Sequence, residues 1–162
     1  MLALLLLGGS AAEASAQKLT LLLTSGFPVA FPNATEADYD NASVNATTGS
    51  VAATAPLVWS LDLLGGGGGG VSRTGSLSIR ATTATMGGTK PIGDLQWRRN
   101  DLSTWNDMTT TNVVVQSKTM VRNNTNDPYG NSIFFRVKLN WSNDGPATYT
   151  PTIVLTATLT TP

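Results

Sequence analysis

Neither cysteine nor histidine occurs in this chain of 162 residues. Without cysteine there are no disulfide bonds, so the fold must be held by its apolar core, by metal or by assembly with neighbouring molecules. Without either residue type the usual zinc sites cannot form, and no histidine can serve as a general base or in a catalytic triad. Acid–base chemistry is therefore left to aspartate and glutamate alone.

Charge is scarce as well. Ten basic and ten acidic residues give a formal net charge of zero, and charged residues make up 12% of the chain. Because no basic face is available to neutralise phosphates, we expect no nucleic-acid partner. In place of charge the chain is rich in threonine, serine and asparagine, which suits the exposed faces of β-sheets. This composition is common in secreted and surface-layer β proteins.

The N-terminus carries a short apolar run, from Leu2 to Leu7. The run is too short to cross a bilayer, which needs about 20 apolar residues. Ala14-Ser15-Ala16 follows as a small-residue cleavage signal, so residues 1–16 are predicted to be a secretory signal peptide. We therefore expect a secreted protein of the cell surface, with no membrane span in the mature chain. The alternative is that residues 1–16 form a helix or strand of the mature protein.

Apolar and polar side chains alternate with a period of two near the end of the chain. Such alternation predicts strands with one buried face and one solvated face. A turn at 143–146 and a second alternating stretch at 149–160 predict that these two strands form a β-hairpin. The residues that share the apolar face of the first strand are Ile133, Phe135, Val137, Leu139 and Trp141.

Similar patterns predict strands elsewhere, with no convincing amphipathic helix between them. The predicted strands are 18–24, 57–63, 76–81, 94–98 and 113–121, with a weak strand around 50–53 in a long polar loop. About seven strands with turn signals between them indicate an all-β fold, a single antiparallel β-sandwich of immunoglobulin-like size. We divide the chain into the signal peptide, an N-terminal strand segment at 17–28 and a sandwich domain at 29–162.

Three carboxylates lie close together at Glu36, Asp38 and Asp40. In an extended segment they would share one side, where paired carboxylates could serve a glycosidase or bind calcium. The spacing does not complete a calcium-binding loop, and a solvated acidic loop is the favoured interpretation. The glycine run at 65–70 lacks the Lys-Ser/Thr of a phosphate-binding loop. We therefore predict no enzymatic activity, no catalytic residues, no metal site and no cofactor.

Two aromatic residues lie in polar stretches, outside the apolar register of the strands. Trp105 and Tyr129 are predicted to be on loops, where they could stack on sugar rings. The alternative function is accordingly a secreted carbohydrate-binding or adhesion module, with host or environmental glycans as partners. Five Asn-x-Ser/Thr sequons are candidate glycosylation sites: Asn33, Asn41, Asn45, Asn123 and Asn140.

A turn near the C-terminus carries a family resemblance. Asp144, Pro146 and Tyr149 resemble the corner of immunoglobulin-like sandwiches, in which a tyrosine opens a strand after a turn. The stretch 91–162 resembles uncharacterised secreted bacterial immunoglobulin-like β-sandwich proteins, through the segment 92–98, the Trp105 loop and Phe135-Arg136-Val137. That group is similar to filament, pilus and surface-layer subunits, so the resemblance implies fold and location more than activity. The immunoglobulin cysteine pair is absent.

The strand directly after the cleavage signal predicts a mode of assembly. Residues 17–24 would emerge as a free N-terminal strand, which could complete the sheet of a neighbouring copy and build a homopolymer. Its apolar residues are Leu19, Leu21 and Leu23. The predicted acceptor is the last strand, through Tyr149, Ile153 and Leu155. The alternative is that residues 18–24 are simply the first strand of their own domain.

Overall fold

The computed structural model describes residues 18–26, 28–40, 48–64, 72–121, 129–140, 144 and 149–160. These residues form antiparallel β-sheets and one short α-helix, α1 (Glu36–Asp40). A 3-10 turn, Ile92–Asp94, precedes one of the strands. The strands are β1 (Lys18–Ser25), β2 (Thr48–Ala52), β3 (Leu57–Leu64), β4 (Ser72–Ala81), β5 (Thr85–Gly87), β6 (Lys90–Pro91), β7 (Leu95–Arg99), β8 (Asn106–Asp107), β9 (Val113–Val121), β10 (Tyr129–Asn140) and β11 (Ile153–Thr160).

The larger sheet is organised around β10, its longest strand. Its order is β1-β3-β10-β7-β8, and β2 also pairs with β10. One edge of β10 is shared along its length, since residues 129–133 pair with β3 and residues 136–140 pair with β2. The other edge pairs with β7 through residues 133–137. Within the described residues both edges of β10 are thus occupied.

The smaller sheet has the order β11-β4-β9, and β5 and β6 form a separate two-stranded ribbon. The core lies between the two larger sheets, since it combines buried side chains of β3, β7 and β10 with those of β4 and β9. The hydroxyl of Tyr129 on β10 crosses this core and donates a hydrogen bond of 2.7 Å to the carbonyl oxygen of Gly75 on β4. These open, antiparallel sheets confirm the predicted all-β sandwich.

On β3 and β10 the period-two patterns correctly predicted which side chains are buried. On β3 the apolar face is at most 7% exposed, and the same holds for the inward residues of β10 from Ile133 to Leu139. All the predicted strands are present, and β5, β6 and β8 add only two or three residues each. Trp141 lies outside the described residues. The inward side chains of the two strands are Leu57, Trp59, Leu61, Leu63, Ile133, Phe135, Val137 and Leu139.

The predicted C-terminal hairpin is wrong. β10 belongs to the larger sheet, whereas β11 pairs with β4 in the smaller sheet, from Ile153 opposite Ala81 to Thr160 opposite Thr74. The chain therefore crosses from one sheet to the other between these strands. Alternation of side chains specifies which face of a strand is buried but not which strand lies beside it, and the neighbours of β10 come from earlier in the chain.

The acidic segment is helical, which corrects the expectation of an extended loop. Thr35 precedes α1, and its backbone N–H and hydroxyl both donate to Asp38 Oδ2 at 2.7 Å. This arrangement resembles one half of a capping box and satisfies polar groups at the start of the helix. α1 approaches β2 closely at Gly49, where a Cβ atom would overlap the carbonyl oxygen of Asp38. Glycine is therefore required for this contact.

Candidate functional site

The N-terminal strand β1 lies at one edge of the larger sheet. It pairs antiparallel with β3, from Lys18 opposite Leu64 to Leu23 opposite Trp59. The predicted assembly residues Leu19, Leu21 and Leu23 are partly buried and pack against the core. Leu22, which points to the other face, is 55% exposed. Within a single chain, the three predicted donor leucines thus close one side of the sandwich.

The last strand, β11, lies at an edge of the smaller sheet and beside β1. Cα atoms of β1 and β11 approach within 8 Å, although the described strands share no hydrogen-bonded ladder. β11 contains no charged residue, and its predicted acceptor residues Ile153 and Leu155 pack partly buried against the core. Donor and acceptor segments of the sequence prediction are therefore neighbours at the same open side of the sandwich.

An open cavity lies next to this side. It has a volume of about 370 Å³ and is lined by the segment that follows β1 and the segment that precedes β11. Val29 and Phe31 come from the first segment and Tyr149 from the second, and Ile153 of β11 and Leu95 of β7 complete the lining. The cavity adds an apolar recess to this side of the sandwich.

Asp144, from the predicted C-terminal turn, is paired with Lys90, a residue that no sequence pattern had marked. The buried Lys90 ammonium lies 2.5 Å from Asp144 Oδ1 and 3.1 Å from Asp94 Oδ2. Asp144 Oδ2 also accepts a hydrogen bond of 2.8 Å from the backbone N–H of Asn140. The Tyr149 ring centroid is 5.7 Å from the same ammonium. Asp144 and Tyr149 of the predicted turn are thus brought together, whereas Pro146 lies outside the described residues.

The surroundings of Lys90 favour its charged form. Burial alone would lower the pKa of its ammonium, but the hydrogen bonds and charges of Asp144 and Asp94 outweigh burial and raise that pKa above its ordinary value. A cavity of about 450 Å³ opens beside the pair, and its lining includes Asp94, Lys138 and Asp144. No sequence signal pointed to Lys90, because a single lysine before a proline has no pattern and its partner lies 54 positions away.

The two aromatic residues predicted as sugar-stacking loop residues lie in different surroundings. Tyr129 begins β10, is 9% exposed, and packs edge-on against Trp59 with ring centroids 5.7 Å apart. The prediction that it lies on a loop is therefore wrong. Trp105 does lie on a loop, partly buried against the outer face of the larger sheet. The guanidinium carbons of Arg136 and Arg98 are 4.3 Å and 5.1 Å from its ring centroid.

A polar cluster extends from this aromatic contact along the same outer face. Gln96 accepts a hydrogen bond from Arg136 Nε at 2.7 Å and donates one to Asp107 Oδ1 at 2.6 Å. The hydrogen bond from Gln96 is the main cause that lowers the pKa of Asp107, with a further contribution from the charge of Lys138. Lys138 Nζ lies 3.4 Å from Asp107 Oδ1. Hydrogen bonds and an ion pair therefore connect the polar side chains on the outer face of β7 and β10.

The remaining candidate residues are separated from one another. Glu36 and Asp38 lie on α1, where Asp38 is engaged by Thr35. Among the described residues, no three carboxylates come together in a group that could hold a metal ion. Of the sequons, Asn33 is exposed and Asn140 is partly buried at the end of β10. Asn41, Asn45 and Asn123 lie outside the described residues, as do the predicted signal peptide and the glycine run.

Comparisons of the chain with protein-family models, with curated proteins and with solved structures found no match. In the part of the chain that the structure describes, no helix is both long enough and apolar enough to cross a membrane.

The pKa shifts predict how stability depends on pH. Hydrogen bonds from Thr35, Arg99 and Gln96 lower the pKa values of Asp38, Asp101 and Asp107 below the ordinary 3.8. Their stabilisation is present above that value and is lost as the pH falls through the lower folded values. The Lys90 contribution is present below its ordinary pKa of 10.5 and is lost at more alkaline pH.

Between these limits we expect a flat stability profile. With no histidine and no cysteine, no side chain titrates from about pH 5 to about pH 9 at ordinary pKa values. Thermal unfolding followed by circular dichroism should give a constant Tm over this interval, with losses below about pH 4 and above about pH 10. A Tm that changes with pH near neutrality would contradict this expectation, because it would show that a further group changes its protonation on unfolding.

Proposed function

We propose that this chain is a structural subunit of a pilus-like extracellular filament or of a surface layer. Copies of the chain would assemble head-to-tail by β-strand complementation. The observation that carries the proposal is the position of β1, which fills an edge beside β3 and next to β11 with three leucines facing inward. An edge that accepts this strand from its own chain can accept it from a neighbouring copy with the same contacts.

Exchange of β1 between copies preserves the interactions that hold this strand. The backbone hydrogen bonds to β3 and the packing of the three leucines form again in the neighbouring sandwich, so the equilibrium depends mainly on the connection after β1. Gly26, directly after β1, has a φ of 74°, and its missing Cβ leaves room for the carbonyl of Pro56. A change of backbone direction at this glycine would release β1 toward a neighbour.

The character of β11 supports the same proposal. Edge strands of monomeric proteins are usually protected by charges, proline or bulges that prevent pairing with other chains. The eight residues of β11 include neither a charge nor a proline, and β11 pairs with β4 without an irregular register. It is therefore an unprotected edge at the side where the exchanged strand would lie.

The secreted location belongs to the proposal and is supported by the leader-like N-terminus, the neutral surface and the resemblance of residues 91–162 to secreted β-sandwich proteins. The alternative, a secreted carbohydrate-binding or adhesion module, has less support in the form first predicted. Tyr129 is buried, and the ring of Trp105 is stacked with two guanidinium groups.

A disulfide trap tests whether β1 is exchanged. The chain contains no cysteine, so a Leu22→Cys/Ser60→Cys variant carries only the introduced pair, at positions that face each other across β1 and β3. Facing Cα atoms of antiparallel strands lie about 4.5–5.5 Å apart, within the range of a disulfide. We expect oxidation of concentrated protein to give a ladder of linked oligomers on a non-reducing gel.

The matched control is a Ser76→Cys/Thr158→Cys variant, whose pair joins β4 and β11 within one chain. It should remain monomeric on the same gel. Mixing the single variants Leu22→Cys and Ser60→Cys should give linked dimers, because only exchanged strands bring these residues together. The proposal fails if the unchanged chain is monomeric by light scattering at all concentrations and forms no fibres by electron microscopy, and if the Leu22→Cys/Ser60→Cys variant forms only intramolecular disulfides.

A further inference from the structure

Two arginines on the outer face of the larger sheet are stacked against aromatic rings. Arg98 and Phe134 face each other across β7 and β10, and the guanidinium carbon of Arg98 is 4.8 Å from the Phe134 ring centroid. Arg98 and Arg136 both lie over the ring of Trp105. We call Arg98, Trp105, Phe134 and Arg136 the arginine–aromatic cluster. It lies on the sheet face and involves neither β1 nor β11.

Both guanidinium groups of this cluster keep unused hydrogen-bond donors. Arg98 donates through Nη1, to the carbonyl oxygens of Leu102 at 2.9 Å and Arg99 at 3.4 Å. Arg136 donates through Nε to Gln96. Among the described contacts, Nη1 and Nη2 of Arg136 and Nη2 and Nε of Arg98 make no hydrogen bond. The cluster therefore presents several N–H groups that have no acceptor among the residues that the structure describes.

Neither positive charge is paired with a carboxylate in the part of the chain that the structure describes. Within the described residues, no carboxylate oxygen lies within 4.0 Å of either guanidinium, and the nearby Asp107 is engaged by Gln96 and Lys138. Burial and the neighbouring charge of Arg98 lower the pKa of Arg136. Two like charges held on one ring repel each other, and a bound anion would relieve that repulsion.

We propose that the arginine–aromatic cluster binds the acidic group of a saccharide, a carboxylate or sulfate carried on a sugar ring. The planar fork of a guanidinium matches the oxygens of such a group, and stacking on Trp105 and Phe134 holds the forks in place before binding. The guanidinium groups cover part of each aromatic ring, and the part that stays exposed offers apolar surface to the sugar ring beside the charged contact. The aromatic residues act here mainly by positioning the arginines.

Titration of the full chain with an oligogalacturonate, followed by calorimetry, tests this site. We expect binding that weakens with added salt, and no binding of a neutral galacto-oligosaccharide of the same length. Arg98→Gln and Arg136→Gln should each weaken binding roughly tenfold or more, as expected for loss of charge-assisted hydrogen bonds. Arg136→Lys, which keeps the charge but loses the fork, should fall between these variants and the unchanged protein.

The matched control is Arg80→Gln, on β4 of the other sheet, which should bind as the unchanged protein does. A sulfated oligosaccharide in a parallel titration identifies which acidic group is preferred. Equal binding of the neutral sugar, or equal loss in Arg80→Gln, would overturn the proposal. It would also be overturned if inorganic sulfate or a single-stranded oligonucleotide bound as tightly as the acidic saccharides. Failure of strand exchange would leave this result unaffected, because the two surfaces are separate.

Discussion

Replacing Lys90 by methionine is expected to destabilise the protein by about 3–5 kcal/mol, the usual cost of removing one partner of a buried ion pair. The side chains of Lys90 and Asp144 are 1% and 2% exposed. Without the ammonium, the Asp144 carboxylate would stay buried with only the backbone N–H of Asn140 as a described partner. For a chain of this size, Tm should fall by on the order of 10 °C in calorimetry or circular dichroism.

Two further variants separate this effect from a general loss of charge. Lys138→Met removes similar contacts with Asp94 and Asp107, but the Lys138 side chain is 33% exposed, so we expect a loss below about 1 kcal/mol. Lys90→Met/Asp144→Asn removes the uncompensated charge and should be more stable than Lys90→Met alone. Equal losses of stability in Lys90→Met and Lys138→Met would show that the buried ion pair stabilises the protein no more than the exposed one.

Replacing Trp59 by alanine is the second change for which we expect a large loss, about 3–5 kcal/mol in urea unfolding. Trp59 is 1% exposed at the centre of β3, between the sheets, and it contacts Tyr129 edge-on. Removing it leaves a cavity that the surrounding strands cannot fill, because their backbone positions are set by the ladders on both sides of β3.

Trp105→Ala provides the matched control on the outer face. It removes the same side chain and the stacking of two arginines, but from a partly exposed position, so a loss of roughly 1 kcal/mol is expected. Trp59→Phe keeps most of the apolar volume and removes an indole N–H that has no described hydrogen-bond partner. It should therefore retain a cooperative transition even if Trp59→Ala does not fold. Similar losses in Trp59→Ala and Trp105→Ala would contradict the assigned core.

The sequence predicted strand positions well because burial on a sheet has a local signature. The N-terminal strand was expected at 18–24 and is observed at Lys18–Ser25, and the Val113–Val121 strand has the expected bounds. In both cases the pattern of apolar side chains was sufficient. The helix at Glu36–Asp40 was not predicted, because five residues are too few for a periodic signal and its stability depends on Thr35 and on contact with β2.

The sequence did not predict in the same way which strands pair with one another or which distant side chains come into contact. β10 and β11 each have a clear buried face, yet only the assembled sheets determine that they lie in different layers. The same limit applies to the candidate site. The Arg98 and Arg136 pair is formed by two strands and the Trp105 loop, and the Lys90 and Asp144 pair joins positions 54 residues apart. Neither arrangement corresponds to a pattern of neighbouring residues in the sequence.

The crossing of the chain from β10 to β11 has a consequence for when the protein can fold. The smaller sheet is completed by pairing Thr160 with Thr74, so β11 joins a partner made much earlier in synthesis. Contacts between such distant residues carry a large loop-closure cost, and β-sandwiches of this kind fold in about milliseconds to seconds. Until β11 is available, β4 is paired on one side only. A chain without β11 would therefore lack the completed smaller sheet, so we expect the sandwich to close only after the last strand has been synthesised.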